Sequence, residues 1–190
     1  MDCSPNKNDC LKTDVILSAI DDLHKMGISV LLLSGGEPFI YYDEVLTILR
    51  RAKQYNMLCS INTNAYWCHS VDITKKKLVE LRRCGLTNII TSVDIFHNEF
   101  INIDKVKNLL IAAQKIGVRP LLNLCGGYDE ANHGLIDLMA QLGESAYNVD
   151  IRIFPLLKIG AAKRNFKDIR LDYTYVAEDL QCVSYQTLHI

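Results

Sequence analysis

Val30-Leu31-Leu32-Leu33-Ser34-Gly35-Gly36-Glu37-Pro38-Phe39 is the stretch whose reading decides the fold. Its apolar run is too short for an ordinary helix and too uniformly bulky for a half-buried strand, so it reads as a strand buried on both faces. Ser34 to Pro38 then reads as the turn that ends it. Paired glycines reach backbone angles closed to other residues and let a ligand approach the main chain, while Pro38 fixes one torsion and stops strand hydrogen bonding. Glu37 is thereby aimed from a strand end. The plain alternative is a strand-to-helix turn carrying a solvated glutamate, because a short glycine motif alone is weak evidence.

Outward from this stretch the same pattern repeats. A polar, turn-rich opening (1–10) gives way to apolar residues at helical spacing (Ile16, Ala19, Ile20, Leu23, Met26), with Thr13 as the candidate cap and Gly27 as the stop before a strand at 28–33. Helical segments at 43–55, 74–84, 103–116 and 134–142 each end at a glycine or at Asn56, and strands follow at 57–63, 87–93, 118–124 and 149–154. A period of about thirty residues alternating helix and unbroken apolar strand predicts right-handed βαβ units on a parallel sheet. Periodicity leaves two closures open, a doubly wound sheet or a barrel.

The composition narrows the function classes. The chain has 190 residues, 49% hydrophobic and 23% charged, with a net charge of -1, which is ordinary for a globular domain and gives no electrostatic footprint for nucleic acid or an acidic membrane surface. No apolar run approaches the roughly 20 residues of a bilayer span and no secretion signal opens the chain, so the expected location is cytoplasmic. The seven cysteines are dispersed without a CxxC pair, which argues against a disulfide framework or a zinc ribbon.

Leu33-Ser34-Gly35-Gly36-Glu37-Pro38 resembles the GGEP segment of the radical S-adenosylmethionine (radical SAM) superfamily. Thr63-Asn64 is similar to that family's TNG segment with Ala65 in place of glycine, Ser92-Val93-Asp94-Ile95-Phe96-His97 to its S-x-D-x-x-H segment, and 155–163 to its post-barrel segment with Ala161 where an arginine is common. The resemblance chooses the barrel and implies an α/β fold, a partial (β/α)6 TIM-like barrel of parallel strands. In the family's count the strand before Gly35 is the second. The first strand and its cluster loop are therefore expected to be missing, with the chain starting inside that loop. Two regions are expected: a barrel core at 1–157, and a post-barrel segment at 158–190 whose short strand-like end, 183–190, leads into a truncated auxiliary-cluster extension of the SPASM-like type.

The resemblance also implies the site. Gly35, Gly36, Glu37 and Pro38 would receive the methionine end of S-adenosylmethionine, with Asn62, Asn64, Ser92, Asp94, Asn123 and Arg152 around the rest of that cofactor. His97, Cys125 and Lys158 sit at strand ends too, and a structural role is the simpler reading for each. The superfamily's C-x3-C-x2-C set, whose soft thiolates hold a 4Fe-4S cluster, is absent from this sequence. Cys3 fits as its third member or lies just downstream, and Cys182 is the candidate auxiliary-cluster ligand. The implied activity is reductive cleavage of S-adenosylmethionine to a radical that takes hydrogen from a substrate, of which a peptide is the candidate. An electron donor would be the partner, and the chain alone is expected to be inactive. Two other readings stand beside it: an aldolase-type barrel with Lys158 as Schiff-base amine, and a non-catalytic barrel binding a ligand or partner. Glu80, on the outer face of the predicted helix 74–84, has no role in any of these.

Overall fold

The computed structural model describes residues 10–94, 102–126, 130–155 and 187–189. In chain order they form α1 (Thr13–Lys25), β1 (Val30–Leu33), α2 (Tyr42–Gln54), β2 (Leu58–Thr63), α3 (Val71–Cys84), β3 (Leu86–Asp94), α4 (Ile103–Ile116), β4 (Arg119–Gly126), α5 (Glu130–Leu142), β5 (Asp150–Pro155) and β6 (Thr187–His189). The sheet order is β5-β4-β3-β2-β1-β6 and every pairing is parallel.

That order decides between the two closures. From β1 to β5 each strand adds beside its predecessor in one direction, with no reversal, and right-handed crossovers then carry every helix to the same face. A doubly wound sheet needs a reversal. The winding is that of a TIM-like barrel, as the resemblance implied, and one sheet face packs on helices while the other is left to line the interior.

Side chains divide accordingly. Leu31, Leu33, Cys59, Ile61, Ile89, Val93, Leu122 and Leu124 join the helices' Ile20, Leu49, Leu78, Leu81, Leu109 and Leu110 in one buried cluster. The intervening residues Ser60, Asn62, Asn88, Ser92, Asn123 and Arg152 lie on the opposite face. A register shift between Cys59 and Ser60 leaves Thr87 as an extra residue, so that Leu86 and Ile89 both reach the helix side. The Thr87 hydroxyl donates to the Cys59 carbonyl at 2.6 Å.

Local chemistry explains most boundaries. Asn56 after α2 takes the left-handed conformation common beyond a helix end. Gly85 after α3 has φ +123°, and a Cβ there would lie 2.9 Å from Lys53 Cβ, so that turn admits only glycine without displacement. Several boundaries differ from the sequence reading, among them the start of α5 at Glu130 and not at Gly134. Ser70 accepts from the Ile73 N–H (3.3 Å), which starts α3 at Val71 and not at Thr74. Thr13 does not cap α1: Lys12 takes that position without a side-chain bond, and Thr13 is already helical.

β6 falls within the strand-like stretch 183–190, and what is unexpected is its place in the sheet. The edge of β1, where the family comparison leaves room for a preceding strand, is paired by the far end of the sequence, Val30 with Thr187 and Leu32 with His189. An edge strand offers a row of free N–H and C=O groups to whatever extended segment can reach it.

Candidate functional site

Parallel strands bring their C-terminal ends to one rim, so the turns after β1 and β2 meet there. Glu37 caps a single 3-10 turn, Pro38–Tyr41, with Pro38 at its first position, where a missing N–H costs nothing. Its carboxylate reaches across to the next strand end. Oε1 accepts from the Phe39 N–H (3.2 Å) and the Thr63 hydroxyl (2.9 Å), and Oε2 accepts from the Asn64 N–H (2.7 Å). Glu37 is thus not a solvated glutamate waiting on a loop. Gly35 has φ +136°, and at both Gly35 and Gly36 an added Cβ would meet nothing within 4 Å, so the main chain here borders open space.

The β2 end is ordered by its own residues. Ala65, where the family pattern has glycine, is left-handed (φ 60°) and fully buried. Its N–H donates to Thr63 Oγ1 (3.1 Å), and the Trp67 indole N–H donates to the same oxygen (3.0 Å). Trp67 stacks on Phe39 with centroids 4.2 Å apart, and the Lys77 ammonium lies 5.5 Å from the Trp67 ring and 5.0 Å from that of Tyr42. The Asn64 side chain accepts from the Tyr66 N–H (3.0 Å).

Below the rim, Asn62 Nδ2 donates to Ser34 Oγ (3.0 Å), but Asn62 Oδ1 is buried without a partner. Register places Ser92 beside Asn123 and Asn123 beside Arg152, and Asn123 Oδ1 is likewise buried and unpaired. Buried carbonyl oxygens without donors are uncommon and costly. Here they mark places where donors are wanted.

Of the residues expected at the site, Gly35, Gly36, Glu37, Pro38 and Asn64 meet at the rim, where Glu37 accepts from Asn64; Asn62 lies below it, bonded to Ser34; and Ser92, Asn123 and Arg152 form a row across β3, β4 and β5. Asp94 ends β3 with its backbone paired to Cys125. Cys3, His97, Lys158 and Cys182 lie outside the described residues. Among the described residues no group of three His, Cys, Asp or Glu could hold a metal ion. Ser34, Phe39 and Trp67 were absent from the expected set and Thr63 was expected only as a strand-end neighbour, although a single tryptophan four residues beyond a strand-end threonine was a signal to weigh. Glu80 is not idle either: it accepts from the Tyr42 hydroxyl (2.9 Å), and burial first, then this carboxylate, pushes the Tyr42 phenol well above its ordinary value. Burial also pushes the Cys68 thiol up to about 12, so it is an inert neighbour of the rim.

The model of the Radical SAM superfamily matches residues 5–142, most of the chain, including the ends of β1 to β4. The chain belongs to the radical SAM superfamily. This radical SAM chain is 25% identical over 195 residues to YydG of Bacillus subtilis (strain 168), a protein named for peptide biosynthesis, covering 98% of this chain and 59% of that one. It therefore spans about three-fifths of the length of this curated relative. Among solved structures it aligns with the carboxyl transferase domain of Rhizobium etli pyruvate carboxylase (14% identity, 76% of this chain and 24% of that one, TM-score 0.48). It also aligns with 2,3-dimethylmalate lyase (12% identity, 74% and 54%, TM-score 0.47). Neither likeness bears on function.

Proposed function

We propose that the chain is the core of a radical SAM enzyme that binds S-adenosylmethionine along the rim and the open face behind it, and that acts on a peptide. The observation that carries the reading is the pair of buried, unpaired carbonyl oxygens, Asn62 Oδ1 and Asn123 Oδ1, on the face opposite the helices. S-adenosylmethionine brings an ammonium, ribose hydroxyls and an adenine amine, all donors of the kind these oxygens lack. The open Gly35-Gly36 backbone and Glu37 Oε2 fit its amino-acid end. When bound at a reduced 4Fe-4S cluster, this cofactor supplies the radical chemistry that removes a hydrogen atom from substrate.

The chain's own part is binding and orientation. Glu37 holds the two turns at a fixed distance, Asn62 and Asn123 would accept from the ribose and base, and Ser92 and Arg152 border the row. Cys3 and Cys182 remain the cluster-ligand candidates, and a reductant protein is the implied partner. The peptide substrate is carried over from the name of the Bacillus relative, and the net charge of -1 gives no reason to add nucleic acid. Among the described residues no helix is long and apolar enough to cross a membrane.

Glu37→Gln tests the reading. Three donors converge on the carboxylate, so the amide must turn its NH2 toward one of them, and the charge is lost as well. Calorimetric titration should find S-adenosylmethionine bound about ten- to a hundredfold more weakly than by the parent chain. Equal affinities would remove the rim from the binding site.

A further inference from the structure

Thr63 makes three hydrogen bonds, as many as Glu37, and unlike that carboxylate its hydrogen-bond capacity is used up. A hydroxyl has one proton to give and two lone pairs to receive with. The Ala65 and Trp67 N–H groups can only donate and so take the lone pairs; the Glu37 carboxylate can only accept, and so the hydroxyl proton must point at Oε1. The proton's direction follows from its neighbours. Thr63 is 6% exposed, Trp67 3% and Ala65 0%, so water competes poorly for these bonds.

The arrangement is a closed ring. From Thr63 it runs through the indole of Trp67 to the stacked Phe39, along Phe39's N–H to Glu37 Oε1, and back to Thr63. The left-handed Ala65 turns its N–H back onto the same hydroxyl, a conformation an alanine adopts at a cost of about 1 kcal/mol. Oε1 carries two donors and Oε2 only one, so of about four acceptor positions on a carboxylate the vacant one belongs to Oε2.

Resting on the reading that this rim holds S-adenosylmethionine, we propose that Thr63 is a positioning residue. Its hydroxyl, directed by Trp67 and Ala65, pins Oε1 and so presents the free acceptor of Glu37 Oε2 to the bound group's ammonium. Thr63 touches no ligand itself. It acts through Glu37, and the role needs the hydroxyl and not merely the shape of the side chain.

Two measurements on the chain test this. Trp67 is the only tryptophan, so the ligand-free protein gives a single indole N–H signal in a nitrogen-15 NMR spectrum. Thr63→Val and Glu37→Gln should both shift that signal and speed its exchange with solvent, while Thr63→Ser keeps both near the parent's. In titrations with S-adenosylmethionine, Thr63→Val should bind about tenfold more weakly and Thr63→Ser within about threefold of the parent, and adding Thr63→Val to Glu37→Gln should cost little more. Thr74→Val is the matched control. Thr74 is also buried, its hydroxyl donates to the Ser70 carbonyl (2.7 Å), and its loss should lower stability without weakening binding. Should Thr63→Val not fold, Trp67→Phe keeps the stacked ring but frees the hydroxyl, and should still weaken binding about threefold. An unmoved indole signal in Glu37→Gln overturns the hub. A moved signal with Thr63→Val binding as tightly as the parent overturns the positioning role alone. A moved signal with no binding by the parent overturns the cofactor reading itself, and the positioning role with it.

Discussion

The two faces of the sheet are written by the same strands in alternation, yet they treat buried polarity in opposite ways. On the helix side Leu31, Ile61, Ile89, Leu122 and Leu124 pack against the helices, and among the described residues the one unpaired buried polar side-chain atom there is Thr91 Oγ1, in a residue 1% exposed. On the other side polar residues alternate with apolar ones such as Ile90 and Leu121: Ser60 with Asn88 (3.0 Å), Ser34 with Asn62, then Ser92, Asn123 and Arg152 in a row. Among the described residues nothing supplies Thr91 Oγ1 with a hydrogen-bond partner, so its hydroxyl is a plain cost. The unpaired oxygens of Asn62 and Asn123 face the side where a ligand can complete them. The same defect therefore has two meanings, set by which face it is on.

Truncating each face should separate them most strongly. Leu122→Ala empties a fully buried site among helices and should cost about 2–5 kcal/mol in denaturant unfolding. Ser92→Ala, at an exposed position of the other face, should stay within about 0.5 kcal/mol. Comparable losses would mean that both faces are packed cores.

Alkaline pH probes how dry the covered side is. Burial pushes the Cys59 thiol up to about 11 from an ordinary 9.0. Because the folded value is raised, its contribution is fully present below the ordinary thiol value and is lost as pH climbs toward the folded one. About 2 kcal/mol should disappear by pH 11, and Cys59→Ala should flatten that limb of the denaturation profile. An unchanged profile would mean that water reaches the thiol.

The unpaired atoms themselves offer the sharpest contrast. Thr91→Val and Asn123→Leu each remove a buried oxygen without a partner, and both should stabilise the fold by about 1 kcal/mol, seen as a Tm higher by about 2–4 °C. Only Asn123→Leu should also weaken S-adenosylmethionine, by about tenfold. If Thr91→Val weakens it equally, the division between the faces is wrong.

Ala65→Gly should do least. Relief of the left-handed backbone is offset by the lost buried methyl and by glycine's freer unfolded chain, leaving a net change within about 0.5 kcal/mol in thermal unfolding.

The sequence was most legible where local chemistry repeats. Unbroken apolar strands and a stop residue after each helix located β1 to β5 and α1 to α5, because each signal lies within the element it specifies. Errors came where a neighbour decided the matter, as at α3, whose start was set by Ser70 and not by the apolar spacing. The strand-end residues were found through a family pattern, and the partners of Glu37 were not, since a bond between positions 37 and 63 has no local signature. Glu80 is exposed on the outer face of α3, as its spacing predicts, but its bond to Tyr42 was not legible for the same reason: it spans two helices.

β6 carries a consequence for the order of assembly. Each pairing from β1 to β5 joins strands roughly thirty residues apart, so the sheet can extend one neighbouring unit at a time, whereas Val30 and Thr187 enclose more than 150 residues. Closing the longer loop costs about 1.5 kcal/mol more in chain entropy, and only three residues of β6 are there to offset it. The sheet's outermost pairing is thus the last to be made and the first to open, and an equilibrium exchange experiment would find the β1 amides bonded to β6 the least protected of that strand.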